Sequence, residues 1–368
     1  MKITCTKERL VEGIAIAERI SGKNLTLPVL NCVLLESVGK QFVVRATNLE
    51  LGVEVMIPAE VEGEGKIAVS GSVLHGTLGA SLNTSPVTLK ESDGNLLVKS
   101  GEGDSTIKGQ SVEDFPVIPQ LSEAQTFSLP KEHLIRGIRS VAYSASVSSI
   151  KPEQTSIYIY QDNDAIVFVA TDSFRLAEKR VVVGTKIPDF ESILIPARNT
   201  TEVLRILEQS SGDSVEVRLQ SSQIAFKIDG IYLTSRLVGG TFPDYRQVIP
   251  KNNVVEAVVL KQDFVQVLKK LAIFADKSNQ VGMHLKPSDN SFTLDARNAD
   301  VGESMDTLTG SVTGDPLDIN FNYRYIVDCF QSIPTDSVTL SFGGLGKPLV
   351  IRGVSDPSFL YLVMPMNK

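Results

Sequence analysis

The chain has 368 residues, a formal net charge of −7, 42% hydrophobic residues and 21% charged residues. This composition is typical of a globular protein of two or three domains, and the acidic balance argues against an open basic groove that binds nucleic acid through phosphate contacts alone. No apolar run approaches the roughly 18 residues of a membrane span, and the N-terminus lacks the apolar core of a signal peptide. Cys5, Cys32 and Cys329 lie far apart and indicate neither a disulfide framework nor a metal site. We expect a cytoplasmic protein without a metal or cofactor.

Three stretches of the chain resemble one another at a spacing of about 125 residues, far longer than a solenoid repeat. Lys7–Leu10 returns as Lys131–Leu134 and, more loosely, as Lys261–Phe264. A second set of similar stretches comprises Ala46–Glu50, Ala170–Phe174 and Ala296–Asp300. A period of this length is the size of a whole domain. We therefore predict three similar domains in tandem, at residues 1–122, 123–250 and 251–368.

Each predicted unit opens with a short strand and an amphipathic helix. Apolar residues recur at i, i+4 and i+7, which is the spacing of one helical face. They are Leu10, Ile14 and Ala17 in the first unit, Leu134, Ile138 and Val141 in the second, and Phe264, Leu268 and Leu271 in the third. Strands rich in β-branched and aromatic residues follow at Phe42–Arg45, Ile166–Val169 and Ser291–Leu294.

The strand-then-helix pattern returns halfway through each unit. The predicted pairs are Lys66–Val69 with Ser70–Ala80, Ser192–Ile195 with Pro196–Gln209, and Leu317–Ile319 with Phe321–Phe330. Asp93-Gly94 and Asp229-Gly230 predict tight hairpin turns. Pro116–Gln125 and Pro243–Asn253 each hold two prolines, and we interpret them as extended linkers. The fold is predicted to be α+β, each domain being a duplicated strand-helix-strands unit with two helices on antiparallel sheets.

The first helices of the second and third units carry a surplus of positive charge. Arg136 and Arg139 accompany Lys131 in one, and Lys269 and Lys270 lie at the end of the other. Basic helix faces on an acidic protein suit a polyanion that passes them. The alternative is an ordinary solvated helix face, and the first unit favours it, because Glu8, Glu12 and Glu18 offset the basic residues of its first helix. Equivalent interfaces in tandem close into a ring or continue as a filament, and the sequence does not count the copies.

Four motifs lie in order along the chain: Leu27–Leu30, Ala170–Ala177, Thr241–Pro250 and Val363–Met366. Together with the repeats, they resemble the bacterial sliding clamp, the beta subunit of DNA polymerase III, over essentially the full length. The resemblance implies a ring-forming clamp, in which a head-to-tail homodimer of six domains encircles double-stranded DNA with its helices lining the hole. It implies a processivity factor without enzymatic activity that tethers the replicative polymerase. It also implies the clamp loader and repair factors as further partners.

The resemblance places a pocket for partner peptides between the second and third domains. Apolar and Met-rich surfaces accept varied ligands, and an arginine can fix the polar end of a short motif. Carried over position by position, the pocket comprises Thr171, Arg175, Leu176, Pro243, Val248, Asn322, Tyr325, Val363, Met364, Pro365 and Met366. The alternative is that Leu176 and Val363 belong to the core and that the chain end packs without a function.

Four residues, at three places in the chain, depart from the pattern of the family. Ser173-Phe174 stands where many members have Gly-His, Gln247 stands where an arginine is common, and Gln154 lies near a position that is often aliphatic. Each departure would reshape the rim of the predicted pocket. We therefore expect the preferred partner motif to differ from that of other members.

The resemblance also suggests residues for DNA and for the ring interface. Lys23 and Arg198 are expected near the duplex by resemblance, and helix charge adds Arg136, Arg139, Arg205, Lys269 and Lys270. Ile273 and Phe274 fall where the family places an apolar interface pair. Their predicted partners are Leu74, Leu78 and Leu82 of the other chain, with Lys99 and Lys108 facing Asp300 and Glu303 at the rim. The alternative for the apolar residues is a core position within one domain.

The sequence offers no motif for enzymatic chemistry. His75, His133 and His284 lie in different units without metal-ligand spacing. Gly343–Pro348 lacks the Ser or Thr of a phosphate-binding loop after its lysine. We keep two hypotheses, a DNA-encircling processivity clamp and a multi-domain scaffold that binds peptides without holding DNA.

Overall fold

The computed structural model describes residues 1–22, 27–80, 86–101, 103–148, 150–184 and 187–366. The predicted DNA-facing Lys23 and the predicted interface residue Leu82 lie outside these ranges. The chain packs as two compact units, which differ from the three sequence repeats. The first unit is Met1–Glu132 with Arg198–Leu237, and the second unit is His133–Ala197 with Val238–Lys368. Below, the terms first unit and second unit refer to these two. Both units take part of residues 123–250, so the three predicted domain boundaries stay a prediction.

The helices alternate with groups of strands. The α-helices are α1 (Lys7–Ile20), α2 (Gly71–Ala80), α3 (Lys131–Val141), α4 (Ala197–Gln209), α5 (Lys261–Leu271) and α6 (Tyr323–Asp328). Short 3-10 helices span Pro28–Asn31, Ala142–Ser144, Tyr245–Val248, Pro287–Asp289 and Cys329–Ser332.

The strands follow in chain order. They are β1 (Lys2–Cys5), β2 (Cys32–Val38), β3 (Gln41–Thr47), β4 (Leu51–Ile57), β5 (Glu60–Glu62), β6 (Gly65–Ser70), β7 (Val87–Ser92), β8 (Asn95–Ser100), β9 (Gly103–Gln110), β10 (Gln125–Pro130), β11 (Ser156–Asp162), β12 (Ala165–Thr171), β13 (Arg175–Val182), β14 (Ile193–Pro196), β15 (Ser214–Leu219), β16 (Gln223–Ile228), β17 (Ile231–Arg236), β18 (Val255–Leu260), β19 (Gln280–Lys286), β20 (Ser291–Asn298), β21 (Gly302–Leu308), β22 (Gly310–Gly314), β23 (Leu317–Asn322), β24 (Ser337–Phe342), β25 (Leu349–Gly353) and β26 (Asp356–Val363).

The first unit holds one 13-stranded sheet, in the order β10-β15-β16-β17-β4-β3-β2-β6-β9-β8-β7-β1-β5. The second unit holds a 9-stranded sheet, β14-β11-β12-β13-β26-β25-β24-β18-β22, and a 4-stranded sheet, β21-β20-β19-β23. The ladders between neighbouring strands are antiparallel, for example Ala170 opposite Ala177 in the β12–β13 pair and Leu176 opposite Leu362 in the β13–β26 pair. The predicted α+β fold is confirmed.

The predicted helical faces form the cores. All nine apolar residues at the i, i+4 and i+7 positions of α1, α3 and α5 are buried, from Leu10 to Leu271. Beneath α3, Gly137 lies so close to the sheet that an added Cβ would stand 2.2 Å from the Phe168 ring. Any side chain at position 137 would clash with this ring, so the glycine lets α3 approach the sheet closely. The buried stripe of α3 faces the sheet.

The predicted hairpin turns are present, with positive φ at both central residues. Asp93 and Gly94 have φ of 51° and 72°, and Asp229 and Gly230 have φ of 49° and 75°. These are the left-handed conformations that join tightly paired antiparallel strands.

The interpretation of both proline-bearing segments as simple extended linkers was wrong. Ile118 and Leu121 of the first segment are buried against Ala225 and Tyr232 of the sheet. The second segment forms the 3-10 helix at Tyr245–Val248 and packs into its own unit. Both segments contain apolar residues beside their prolines, and these residues anchor the chain to a sheet.

Candidate functional site

The turn between β12 and β13 is held rigid by side chains. The Thr171 hydroxyl donates to the Arg175 carbonyl at 2.7 Å and accepts from the Ser173 amide at 3.1 Å. Asp172 Oδ1 accepts from the amides of Phe174 and Arg175, both at 2.9 Å. Ser173 has φ of 76°, a left-handed conformation that costs about 1 kcal/mol for a residue with a Cβ. These bonds fix the direction in which Phe174 and Arg175 leave the backbone.

Arg175 joins the turn to helix α6. Its Nε donates to Asp172 Oδ2 at 3.0 Å, and its Nη1 forms an ion pair with Asp328. The guanidinium lies over the Tyr325 ring, 4.8 Å from the centroid. Arg175 and Asp172 side chains are only 13% and 14% exposed, so water screens their bond poorly. Two carboxylates therefore neutralise this predicted site residue.

Aromatic side chains extend this site onto the surface. Phe174 is 60% exposed and stacks on Tyr325, with ring centroids 6.4 Å apart and an interplanar angle of 19°. The Tyr361 hydroxyl donates to the Tyr325 carbonyl at 2.7 Å. Asn322 caps α6 by accepting from the Arg324 amide at 3.0 Å. The structure thus brings together Arg175, Tyr325 and Phe174, the last of which differs from the family pattern.

The end of the chain runs beside these aromatic residues. The Met364 amide donates to the Phe174 carbonyl at 2.8 Å, and the Met366 amide donates to the Asn320 carbonyl at 2.8 Å. Met364, Pro365 and Met366 are half-buried. The chain end is therefore bonded to the β12–β13 turn on one side and to β23 on the other, and it packs in a defined place.

An apolar floor lies under the chain end. Leu176, Leu362, Phe242 and Tyr245 are buried in one cluster, and Met364 packs against it. Val363 has no exposed surface and Leu176 is only 2% exposed, so both lie within the core under the chain end, and their contact with a ligand stays a prediction.

Residues 238–250, which we call the linker from here on, supply exposed side chains beside this floor. Pro243 and Val248 are exposed, whereas Phe242 and Tyr245 are buried. Gln247 Nε2 donates to Asp244 Oδ2 at 2.9 Å within the linker. At the other rim, the Ser173 hydroxyl donates to Gln154 Oε1 at 3.2 Å. The departures Ser173 and Gln154 therefore contact one another directly, which no local sequence signal indicated.

The predicted DNA-facing cations differ in their exposure and in the ion pairs that they form. Arg136, Arg139, Arg198 and Lys269 are exposed. Arg198 lies 3.7 Å from Glu50 in a loose ion pair. Two other cations are paired closely, Arg205 with Glu202 at 2.6 Å and Lys270 with Asp306 at 2.9 Å. Close pairing weakens Arg205 and Lys270 as candidates, because a phosphate would have to compete with the carboxylate.

The predicted interface residues divide into exposed and buried groups. Ile273 is 65% exposed, Phe274 is half-buried, and Lys99, Lys108, Asp300 and Glu303 are exposed. Leu74 and Leu78 have no exposed surface, so their prediction as contacts to another chain was wrong. They form the inner face of α2, which packs on α1 and β6. The exposed apolar residue of α2 is Val73 instead, at 50%.

A cleft of about 1120 Å³ in the first unit was not predicted. Arg9, Ile16 and Arg19 of α1 line it, together with Arg205 of α4. Within the part of the chain that the structure describes, no three His, Cys, Asp or Glu side chains form a metal-ligating group. In the same residues, no helix is both long and apolar enough to span a membrane.

Three family models match the chain in order. They are the N-terminal, central and C-terminal domains of the DNA polymerase III beta subunit, at residues 1–119, 128–244 and 246–367. The beta sliding clamp of Synechococcus elongatus is 27% identical over 372 residues, which covers 100% of this chain and 99% of that protein. The beta sliding clamp of Bacillus subtilis is 24% identical over 379 residues, with 100% of both chains covered.

Solved structures share the fold over the full chain. The DNA polymerase III beta subunit of Thermotoga maritima has a TM-score of 0.93 at 25% identity, covering 100% of this chain and 99% of that one. The sliding clamp of Bacillus subtilis has a TM-score of 0.95 at 22% identity, with the same coverage. With all three domain models matched, the chain belongs to the family of the DNA polymerase III beta subunit, and it is a DNA sliding clamp rather than an enzyme.

Proposed function

We propose that two copies of this chain form a ring around double-stranded DNA in the cytoplasm, and that the ring tethers the replicative polymerase through a peptide pocket. The observation that supports the pocket most directly is the exposed stack of Phe174 on Tyr325 beside Met364 and Met366. Exposed aromatic surface next to flexible methionines is typical of a binding site.

The proposed pocket combines an apolar floor with a polar rim. Leu176 and Met364 form the floor, and exposed linker residues form one wall. The rim does not offer a free cation at Arg175, because Asp172 and Asp328 neutralise it. The pocket as proposed comprises Thr171, Arg175, Leu176, Pro243, Val248, Asn322, Tyr325, Val363, Met364, Pro365 and Met366. We propose the clamp loader and repair factors as further ligands, in competition with the polymerase.

The proposed contact with DNA is weak and independent of sequence. Arg136 and Arg139 on α3, Lys269 on α5 and Arg198 on α4 present positive charge from helices. A protein held on DNA by topology needs no tight phosphate contacts, and weak contacts allow it to slide. Lys23, Arg205 and Lys270 are proposed as secondary contacts.

The proposed ring interface joins apolar residues and open strand edges. Ile273 and Phe274 supply the apolar part, with Val73 as an exposed candidate on the other face. Strand β21 pairs with β20 alone among the described strands, and β9 pairs with β6 only at Gly109 and Gln110. An open edge is a template for another strand, so the two edges are proposed to pair across the interface. Lys99, Lys108, Asp300 and Glu303 would form rim ion pairs, which contribute little to affinity.

Encirclement is tested by changing the topology of the DNA. The protein is loaded by its clamp loader onto nicked circular DNA, and the DNA is then cut once. Release on cutting is expected for a ring, because a free end lets it slide off. Retention on both forms would instead support the second candidate, a scaffold that binds by ordinary affinity.

The pocket is tested by shortening the chain end. Deletion of residues 364–368 is expected to abolish stimulation of the polymerase while the dimer persists. A matched control removes residues 367 and 368 only and keeps both backbone bonds of Met364 and Met366. Unchanged stimulation after the longer deletion would contradict the pocket.

The interface is tested by truncating two side chains. Ile273→Ala combined with Phe274→Ala is expected to yield monomers in sedimentation. Leu260→Ala is the control and should leave the dimer intact. Leu260 is an apolar side chain of the same unit and is likewise exposed, at 51%. A dimer that survives the double change would refute the assignment.

A further inference from the structure

A chain of hydroxyl groups connects the linker Val238–Pro250 to the sheet of the second unit. Arg246 Nη2 donates to the Tyr160 hydroxyl oxygen at 2.6 Å. The hydroxyl oxygens of Tyr160 and Tyr245 are 2.8 Å apart, and the Tyr245 hydroxyl donates to the Glu178 carboxylate. We refer to Arg246, Tyr160, Tyr245 and Glu178 as the linker relay.

The proton positions in the linker relay follow from donor counting. A phenol has one proton to donate, and an ionised carboxylate can only accept. Because Tyr245 donates its proton to Glu178, it must accept the proton of Tyr160. Tyr160 in turn accepts from Arg246. The relay therefore has one direction, from a cation through two phenols to an anion.

Burial makes the linker relay stiff. Tyr245 is 5% exposed, and burial together with the Glu178 hydrogen bond raises its pKa well above the ordinary value. Burial also raises the pKa of Tyr160. The guanidinium of Arg246 lies 5.2 Å from the ring centroid of Tyr160 and 5.7 Å from that of Tyr245. Linked hydrogen bonds strengthen one another where water is excluded, which applies to the buried Tyr245 and not to the exposed Arg246.

Aromatic contacts around the linker relay hold the linker against the sheet as well. Phe242 stacks on Tyr158, with centroids 4.7 Å apart and an interplanar angle of 3°. Tyr245 meets Phe242 edge to face at 6.3 Å. The linker thus has two buried anchors, Phe242 and Tyr245, and between and after them it exposes Pro243 and Val248.

The linker relay ends on the strand that carries the pocket floor. Glu178 and Leu176 are two positions apart on β13 and point to the same face of the sheet. Leu176, Phe242 and Tyr245 share one apolar cluster, against which Met364 packs. The Tyr245–Glu178 contact is therefore a direct polar connection between the linker wall and the strand of the floor.

We infer that the linker relay positions the linker wall against the floor of the peptide pocket, and that Tyr245 and Glu178 are positioning residues for partner binding. This inference rests on the proposed pocket. A ligand bound between wall and floor depends on both surfaces being held before it arrives, since ordering them on binding lowers affinity. Removal of the Tyr245 hydroxyl leaves the ring stacking in place and frees only the polar connection.

The test uses the dimeric protein and the catalytic subunit of its own replicative polymerase as the probe. Primer extension is measured against clamp concentration for the unaltered protein, Tyr245→Phe and Tyr232→Phe. Tyr232 is a matched control, because its buried hydroxyl donates to the Pro119 carbonyl at 3.1 Å in the first unit. Tyr245→Phe is expected to raise the half-maximal clamp concentration about tenfold, as loss of a hydrogen bond to a charged group allows. The extension rate at saturating clamp should not change.

The outcomes separate the inference from the proposed function. If deletion of residues 364–368 leaves the polymerase stimulated, the pocket itself is refuted. If that deletion is inactive but Tyr245→Phe shifts the half-maximal concentration by less than twofold, the linker relay has no positioning role. An equal shift in Tyr232→Phe would show a general loss of stability and would also overturn the inference. Should Tyr245→Phe fail to fold, Glu178→Gln, which can still accept the Tyr245 proton, decides with an expected shift of about threefold.

Discussion

Replacement of Arg175 by lysine should loosen the connection between the β12–β13 turn and helix α6. Lysine keeps the positive charge, but its single ammonium group cannot bridge two carboxylates as a planar guanidinium does. We expect it to keep the bond to Asp172 and to lose the Asp328 contact and the stacking over Tyr325. Asp328 is 43% exposed, so its pair contributes about 1 kcal/mol. The cation–π contact adds about 0.5–1 kcal/mol, for a total of about 2 kcal/mol.

The measurement is amide hydrogen exchange of β13 and β26, because opening of one part of a large chain is not a two-state event. A loss of about 2 kcal/mol corresponds to exchange about thirtyfold faster in these strands. Arg180→Lys on the same strand is the control, since Arg180 has one ion pair, with Asp162 at 2.6 Å, which lysine can keep. Equal exchange in the two variants would refute the bridging role of Arg175.

Three further changes test other parts of the molecule. Burial lowers the pKa of His284, but hydrogen bonds to two aspartates outweigh burial, and the net pKa is raised. The stability that this histidine contributes is therefore present below its unfolded pKa of about 6.5 and is lost as pH rises through its folded pKa. Melting curves from pH 5 to 9 should therefore show this loss in the unaltered protein and not in His284→Asn. Gly137→Ala should destabilise its unit by several kcal/mol in a thermal melt, because the new Cβ meets Phe168, whereas Gly76→Ala, with nothing within 4 Å, should stabilise by about 0.5–1 kcal/mol. Lys179→Met should change the melting temperature by no more than a few degrees, because burial lowers the pKa of this 5% exposed lysine and penalises its charge, and relief of that penalty offsets the lost 2.7 Å hydrogen bond from Nζ to Ser358 Oγ; a larger drop would contradict this.

The periodic parts of the fold could be predicted from the sequence because they depend on neighbours in the chain. The spacing of Leu134, Ile138 and Val141 identified a helix and its buried face, and Asp229-Gly230 identified a turn. The spacing did not say what the buried face packs on. Leu78 was assigned to another chain by resemblance, whereas it lies on the buried face of α2 within its own unit. Periodicity identifies a face that must be covered and leaves its partner open.

The candidate site could be predicted only as far as its residues belong to continuous motifs. Arg175 and Met364 were found because each lies in such a motif. Asp328, which pairs with Arg175 from 153 positions away, carries no local signal. The stack of Phe174 on Tyr325 is of the same kind. Contacts between distant elements arise from the order of strands in the sheet, which single-chain patterns do not encode.

The repeated turn shows how a duplicated scaffold acquires a site. In the first unit the Thr47 hydroxyl donates to the Leu51 carbonyl at 2.7 Å, and Asn48 Oδ1 accepts from the Leu51 amide at 2.8 Å. Leu49 has φ of 74°. The same three features hold the turn from Thr171 to Arg175 in the second unit, with distances of 2.7 and 2.9 Å and φ of 76°.

The two turns therefore share their backbone and differ in the side chains they present. Where the second turn directs Arg175 to Asp328, the first directs Leu51 into the core, at 4% exposure. Hydrogen bonds within each turn fix its shape and are the same in both, whereas the side chains at the outward positions differ. Introduction of Arg at position 51 would bury an unpaired charge rather than create a second pocket, and we expect Leu51→Arg to destabilise the first unit by about 3–5 kcal/mol. The proposed pocket therefore depends on the side chain that the second turn presents, Arg175, and on its ion-pair partner Asp328 at the end of α6.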